Sequence, residues 1–162
     1  MALATAWRIP ALVAGLLLLL GLGYGGGELY RRASAWLFPE VAEWAEVDLG
    51  CDLHRGPCVA RLEGGGEIAL SITPRPIPAL APLTAQLRTK GLAVDSATLQ
   101  ISGVTMNMGL FRSPLKAVGD GVWRGKSGLP VCTTSRMDWR AELRLDTADG
   151  VVGARFLFAI ER

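Results

Sequence analysis

Two methionines separated by one residue, Met106 and Met108, form the most distinctive chemical pair in the sequence. Residues two apart on an extended strand project from the same face, and thioethers are soft ligands that suit Cu(I). The pair therefore predicts a copper site. Core packing is the alternative, because Gly103 is a natural bulge position and one extra residue there would turn both side chains inward, where Met fills gaps.

Three cysteines and a single histidine complete the candidate ligands. Cys51 and Cys58 flank a turn at Gly56-Pro57, and so short a loop favours a disulfide in an oxidising compartment. Cys132 is the odd cysteine, with three interpretations: a buried apolar residue, a soft-metal ligand beside the methionines, or an alternative partner for Cys51 or Cys58. His54 would complete a soft-metal site if its loop folds over the end of the domain; an ordinary surface histidine is the simpler interpretation.

The remaining side chains favour a protein that is not an enzyme. There is no Ser/His/Asp set and no pair of carboxylates on a motif. Gly64, Gly65 and Gly66 lie between two predicted strands, which indicates a turn and not a phosphate-binding loop. A thiol enzyme at Cys132 would lack a Cys-x-x-Cys motif and a nearby base. Net charge is +2 with the charges interspersed, which argues against nucleic-acid binding.

An uncharged apolar stretch near the N-terminus predicts a membrane anchor. Residues 9–27 contain no Asp, Glu, Lys or Arg, and about 20 apolar residues suffice to span a bilayer as a helix. We therefore predict a flank at 1–8 and a transmembrane helix at 9–27. A cleaved signal peptide is the alternative because Ala33-Ser34-Ala35 fits the cleavage pattern, although the intervening Arg31-Arg32 is unusual there.

The direction of the anchor follows from the cysteines and not from the flanking charges. Arg8 on one side is matched by Arg31-Arg32 on the other, so the excess of positive charge does not decide orientation. The expected disulfide favours a single pass through a bacterial inner membrane with the C-terminal domain in the periplasm. We predict a juxtamembrane linker at 28–50, in which Trp44 rests at headgroup level or packs on the base of the domain.

Alternating apolar residues predict that the periplasmic domain, 51–162, is built from strands. The pattern has a period of two in Glu67–Thr73, Ala97–Gly103, Trp139–Asp146 and Val151–Ile160, and Gly119-Asp120-Gly121 suggests a hairpin turn. The fold expected is mainly β: an immunoglobulin-like antiparallel β-sandwich of about seven strands after the helix.

Several of these motifs resemble those of YtkA-like and FixH-like domains. The resemblance covers residues 74–160 and is carried by Met106-Asn107-Met108-Gly109, by Gly119-Asp120-Gly121-Val122-Trp123 and by Trp139 to Leu145. Such domains are small immunoglobulin-like sandwiches, often tethered to a bacterial membrane, and FixH-like proteins are associated with assembly of copper-supplied respiratory oxidases. The resemblance implies copper handling through Met106 and Met108.

The function expected is that of a non-enzymatic, membrane-anchored periplasmic accessory or assembly protein. It would handle copper during respiratory enzyme maturation and would bind an envelope or respiratory protein partner. The alternative is a purely structural small subunit of a membrane complex, because the glycines at 21–27 permit close packing of helices.

Overall fold

The computed structural model describes residues 26–27, 40–129 and 135–161. The chain divides into two compact units, Met1–Glu40 and Val41–Arg162. In the first unit, Gly26 and Gly27 are helical. Among the described residues, no helix has the length and apolar character needed to cross a bilayer. The predicted flank at 1–8 and almost all of the predicted transmembrane helix at 9–27 fall outside the described residues, so the anchor stays a prediction.

Within 40–129 and 135–161 the second unit forms nine strands arranged as a closed barrel. The order around the barrel is β1-β2-β3-β4-β7-β6-β5-β8-β9, and every neighbouring pair is antiparallel except β1 and β9, which are parallel. The strands are β1 Val41–Val47, β2 Cys58–Arg61, β3 Glu67–Thr73, β4 Leu83–Lys90, β5 Ser96–Gly103, β6 Leu110–Gly119, β7 Val122–Ser127, β8 Arg136–Thr147 and β9 Gly150–Glu161.

Two strands close the barrel because each pairs with a different neighbour along its length. The first half of β6 pairs with β5, and from Lys116 onward β6 pairs with β7. Likewise β1 pairs with β9 over Val41 to Ala45 and with β2 at Glu46 and Val47. The predicted sandwich of about seven strands is therefore wrong, since no open edge separates two sheets. Alternation in the sequence indicates which residues face inward, but it does not indicate which strand pairs with which.

Strand β1 lies inside the range 28–50 that the sequence suggests is a linker. Its parallel pairing with β9 covers an edge that would otherwise be open, and Ala45 is buried in the barrel. The strand carries two charged residues, Glu43 and Glu46, of which Glu46 is exposed, and a small inward residue such as Ala45 gives little apolar signal. These two features explain why its sequence pattern is weak.

The barrel interior is filled by the inward side chains that the alternation predicts. In β3, Ile68, Leu70 and Ile72 are each at most 1% exposed, and Trp139 in β8 and Phe156 in β9 are buried to the same degree. Burial of each such side chain contributes about 1.5–3 kcal/mol. The core therefore holds the barrel together, and chemistry is left to the connections and the outer wall.

The two ends of the barrel differ in the length of their connections. One end, called the loop end, carries the connections 48–57, 74–82 and 104–109, together with the end of β7 and the start of β8. The opposite turn end carries 62–66, 91–95, 120–121 and 148–149, together with the start of β1. The hairpin expected around Gly119-Asp120-Gly121 is confirmed as the β6–β7 turn. Consecutive strands run in opposite directions, so the connections alternate between the two ends. The longer connections are the ones at the loop end.

Candidate functional site

The topology places the described residues of the predicted site at the loop end of the barrel. Cys51 and His54 lie in the β1–β2 connection, and Cys58 begins β2. Met106 and Met108 lie in the β5–β6 connection. Cys132 lies outside the described residues, so its role as a buried apolar residue or a soft-metal ligand stays a prediction; the alternative in which it pairs with Cys51 or Cys58 is at odds with the pairing of those two residues with each other.

Cys51 and Cys58 lie at disulfide distance, as the sequence predicts, with their Cα atoms 5.5 Å apart. The loop between them is built around Asp52, whose carbonyl accepts hydrogen bonds from the amides of Arg55 and Gly56 at 3.0 and 3.1 Å. Leu53 points into the core and is fully buried. The bridge therefore fixes a compact loop that is also anchored by an apolar side chain.

His54 uses both ring nitrogens to join three segments of the loop end. Its Nδ1 accepts the amide N–H of Ile77 at 3.1 Å, and its Nε2 lies 2.6 Å from the carbonyl oxygen of Ala159. These partners assign the neutral tautomer with the proton on Nε2. The ring also meets Phe158 edge-on, with centroids 6.3 Å apart. In this arrangement neither nitrogen has a free lone pair to offer to a metal ion, and His54 positions the connections 48–57 and 74–82.

The two methionines do not share a strand face, which corrects the geometry that the sequence suggests. Strand β5 ends at Gly103, and residues 104–109 form an irregular connection. The Oδ1 atom of Asn107 accepts the amide of Gly109 at 3.1 Å, and Gly109 has φ of +85°. This local turn separates the two side chains, so that Met106 is 45% exposed while Met108 packs against the core.

A third methionine, Met137, lies at the same corner of the barrel. A Cβ at Gly103 would lie 2.4 Å from the carbonyl oxygen of Met106 and 2.5 Å from the terminal methyl of Met137. Glycine is therefore required at 103 by close approach and not by a bulge in β5. Met137 is buried. In the described part of the chain, no group of three His, Cys, Asp or Glu side chains is positioned to hold a metal ion.

Exposed apolar side chains are concentrated at the loop end. Of seven large exposed apolar residues in the described ranges, five lie there: Leu49, Leu80, Val104, Met106 and Leu110. We call these five residues the apolar rim. The other two, Val118 and Leu157, lie on the strands β6 and β9. No period in the sequence distinguishes an exposed loop residue from a buried one, so sequence reasoning identified only Met106 of the five.

Leu80 combines exposure with an unfavourable backbone conformation. Its φ is +66°, the only positive value at a non-glycine residue among the described residues, and its side chain is 60% exposed. The left-handed region costs an L-residue about 1–2 kcal/mol. Leu80 adjoins an open groove of about 470 Å³ that is lined by His54, Pro76, Ile77, Pro78, Ala79, Ala159 and Glu161. The stability lost at Leu80 is typical of a loop whose shape serves binding.

Trp44 packs on the outer wall of the barrel, against Arg155 and Gly153 of β9, and its predicted place at headgroup level stays a prediction. The guanidinium of Arg155 lies 3.5 Å from the centroid of the indole, and Arg155 also pairs with Glu142 at 3.2 Å. A Cβ at Gly153 would lie 2.6 Å from the indole ring. Trp44 therefore holds β1 against β9 on the side opposite to the core.

Comparisons with protein-family models, with curated proteins and with solved structures give no match. The resemblance to YtkA-like and FixH-like domains stays a prediction.

Proposed function

We propose that this chain is a non-enzymatic, membrane-anchored accessory or assembly protein of the bacterial envelope, and that its barrel binds a protein partner through the loop end. The apolar rim carries this proposal. Single exposed apolar residues are ordinary on a protein surface, whereas their concentration on the connections at one end is typical of an interaction surface. Connections on a rigid scaffold are also where binding residues usually lie.

The roles of the polar groups at the loop end support a non-enzymatic function. Both ring nitrogens of His54 are hydrogen-bonded to backbone partners, and Cys51 and Cys58 are at disulfide distance. A general base must keep a nitrogen within reach of substrate, and a nucleophilic thiol must be free. In the described part of the loop end these groups build the surface instead of acting on a substrate.

The path of the chain supports presentation of the loop end to a partner. Strand β1 begins at the turn end, and the predicted anchor at 9–27 precedes it in the sequence. The chain therefore enters the barrel at the turn end, and the apolar rim lies at the end remote from the point of entry. An anchored barrel of this kind leaves the rim accessible to another envelope protein.

Site-specific photo-crosslinking of the full chain in cells tests the proposal. A photoreactive residue at Leu49 or Leu80 should give one discrete protein adduct, because both positions lie in the apolar rim. Matched probes at Val118 and Leu157, which are 55% and 65% exposed and so match the 60% of Leu80, lie elsewhere and should not give this adduct. Adducts of equal yield from all four positions would contradict a binding surface at the loop end.

A second experiment, detergent extraction, separates an accessory protein from a structural small subunit. We expect an accessory protein to leave its partner when the membrane is dissolved in mild detergent without crosslinking. A structural subunit remains in a complex of constant composition under that treatment. Size-exclusion chromatography of the extracted chain distinguishes these two outcomes.

Copper handling is a second candidate function, favoured by the position of Met106, Met108 and Met137 at the loop end, where the backbone of Met106 and the terminal methyl of Met137 both adjoin Gly103. Their thioethers are the soft sulfur ligands that Cu(I) prefers. Competition with a Cu(I) chelator under reducing conditions should show binding by the full chain. Binding should weaken in the double variant Met106→Leu with Met108→Leu and persist in His54→Asn. Absence of Cu(I) binding by the unmodified chain would exclude copper handling.

A further inference from the structure

Three neighbouring strands of the barrel carry basic residues and no acidic ones. Strands β4, β7 and β6 are consecutive around the barrel. Their sequences contain six basic side chains and neither Asp nor Glu, and all six side chains are exposed: Arg88, Lys90, Arg112, Lys116, Arg124 and Lys126. We call this surface the basic wall.

The six basic side chains have no acidic partners among the described residues, in contrast to arginines elsewhere on the barrel. Arg61, Arg136 and Arg155 each form an ion pair with a carboxylate. No carboxylate within 40–129 or 135–161 lies within 4.0 Å of a basic group of the wall. Lys116 is directly opposite Arg124 across β6 and β7, a like-charge pair that is destabilising by itself. The basic wall therefore retains a like-charge pair that lowers the stability of the folded barrel.

The distribution of lysine singles out the same surface. The chain has only three lysines, and all three, Lys90, Lys116 and Lys126, lie on the basic wall. Strand β1, which lies across the barrel from β7, carries Glu43 and Glu46 and no basic residue. The basic residues are therefore distributed unevenly around the barrel, although the net charge is only +2.

The form of the wall favours a lipid surface over a protein or a single small anion. The six side chains point outward from three adjacent strands, which are about 4.8 Å apart, so they spread over an area and do not converge on one point. Lysine is depleted in protein–protein interfaces, whereas its ammonium binds phosphate as a hydrated point charge. An array of phosphate headgroups matches this chemistry.

We propose that the basic wall binds the phosphate headgroups of anionic lipids in the bilayer that holds residues 9–27. The proposal rests on the membrane anchor of the proposed function. Residues 28–40 join the two parts of the chain, and thirteen extended residues reach at most about 45 Å. That reach is long enough for the wall to meet the membrane surface, where each nearby basic residue adds attraction to anionic lipid.

Acetylation of lysine tests the proposal directly, because every lysine of the chain lies on the wall. The full chain is reconstituted in vesicles of phosphatidylcholine alone or of phosphatidylcholine with phosphatidylglycerol. It is then treated with sulfo-N-hydroxysuccinimide acetate, and modification of Lys90, Lys116 and Lys126 is followed by peptide mass spectrometry. We expect acetylation to be about threefold slower or more on the anionic vesicles, and the difference should disappear at about 0.5 M salt because the attraction is screened.

Two variants control for effects of the vesicle on reactivity and on charge. Arg61→Lys places a fourth lysine on β2, outside the wall, and its acetylation should be the same on both vesicles; protection of this lysine as well would overturn the proposal. Arg88→Gln with Arg124→Gln keeps all three reporter lysines but removes two charges. Protection should then fall, and unchanged protection would likewise overturn the proposal.

Two further outcomes separate the wall from the anchor and from a free anion. A chain that fails to float with either vesicle contradicts the anchor and with it the proposed function. A chain that floats but has equal acetylation rates on both vesicles contradicts the wall alone. Inorganic phosphate added to the neutral vesicles should give no protection, and protection equal to that of phosphatidylglycerol would assign the wall to a soluble anion instead.

Discussion

His54 holds three distant segments of the loop end together, and its removal should destabilise the barrel measurably. We expect His54→Ala to lower the free energy of unfolding by about 2.5–5.5 kcal/mol, the sum of three contributions. The amide of Ile77, a residue only 3% exposed, would lose its acceptor, and an unsatisfied buried donor costs about 1–3 kcal/mol. Loss of the hydrogen bond to Ala159 adds about 1 kcal/mol, and loss of the edge contact with Phe158 adds about 0.5–1.5 kcal/mol.

Conservative variants divide this effect between the two ring nitrogens. The Oδ1 atom of His54→Asn can replace Nδ1 as the acceptor for Ile77, while the amide of His54→Gln can replace Nε2 as the donor to Ala159. Each variant should therefore recover part of the loss. Denaturant unfolding of the full chain in one mild detergent, followed by near-ultraviolet circular dichroism, provides the measurement.

An exposed neighbour supplies the control for the His54 variants. Arg55 is in the same loop with a side chain 89% exposed, so Arg55→Ala should change stability by less than about 0.5 kcal/mol. A loss of similarly small size for His54→Ala would refute the assignment of His54 as a structural bridge. In that case the imidazole would be available for another role, including the metal binding that the sequence suggests.

Three further predictions concern the loop end. Replacing Cys51 and Cys58 by serine should lower stability by about 2.5 kcal/mol in the chain-entropy model, and the unmodified chain should show one free thiol before reduction and three after it. Gly103→Ala places a methyl 2.4 Å from a backbone oxygen and should lower the free energy of unfolding by about 1–3 kcal/mol. Gly119→Ala is the control, because its methyl meets nothing within 4 Å. Equal melting temperatures for the two variants would contradict the crowding at Gly103. Leu80→Asn should raise stability by about 1 kcal/mol, because Asn tolerates the left-handed region, while it weakens crosslinking to the partner.

The inward residues of the barrel were predictable because strand periodicity is a local property. Trp139, Leu143 and Leu145 alternate with charged residues in β8, and each is at most 1% exposed. In β3, Ile68, Leu70 and Ile72 alternate with the smaller Ala69 and Ser71 and are also at most 1% exposed. Such a pattern needs only one strand to be recognised, and the core face follows from it without knowledge of the neighbouring strands.

Closure of the barrel was not predictable because it depends on pairings between distant segments. The parallel pair of β1 and β9 joins Val41 to Val151, and nothing in either sequence indicates the other. Strand β6 changes its neighbour near Lys116 without any interruption of the strand. A pattern of short strands with turns is common to sandwiches and barrels, and the two differ only in these contacts.

The candidate site shows the same division between local and distant contacts. The pairing of Cys51 with Cys58 was predictable because the two residues are separated by seven positions. The partners of His54 are 23 and 105 positions away, so the sequence could not show that both nitrogens are occupied. The methionine pair was predicted on a strand face because the alternation in the sequence does not show whether the chain stays extended beyond Gly103. The crowding at Gly103 comes from the backbone of Met106 and from Met137, which lies on another strand.

Closure also determines how the barrel can bind its partners. In a closed barrel every strand has two neighbours, so a partner cannot add a strand at an open edge. Binding must then use the connections at one end or the outer surface of the strands. The connections carry the apolar rim, and the strand surface carries the basic wall. The rim lies at the end of the barrel and the wall along its side. Because the two surfaces do not overlap, occupation of one leaves the other accessible.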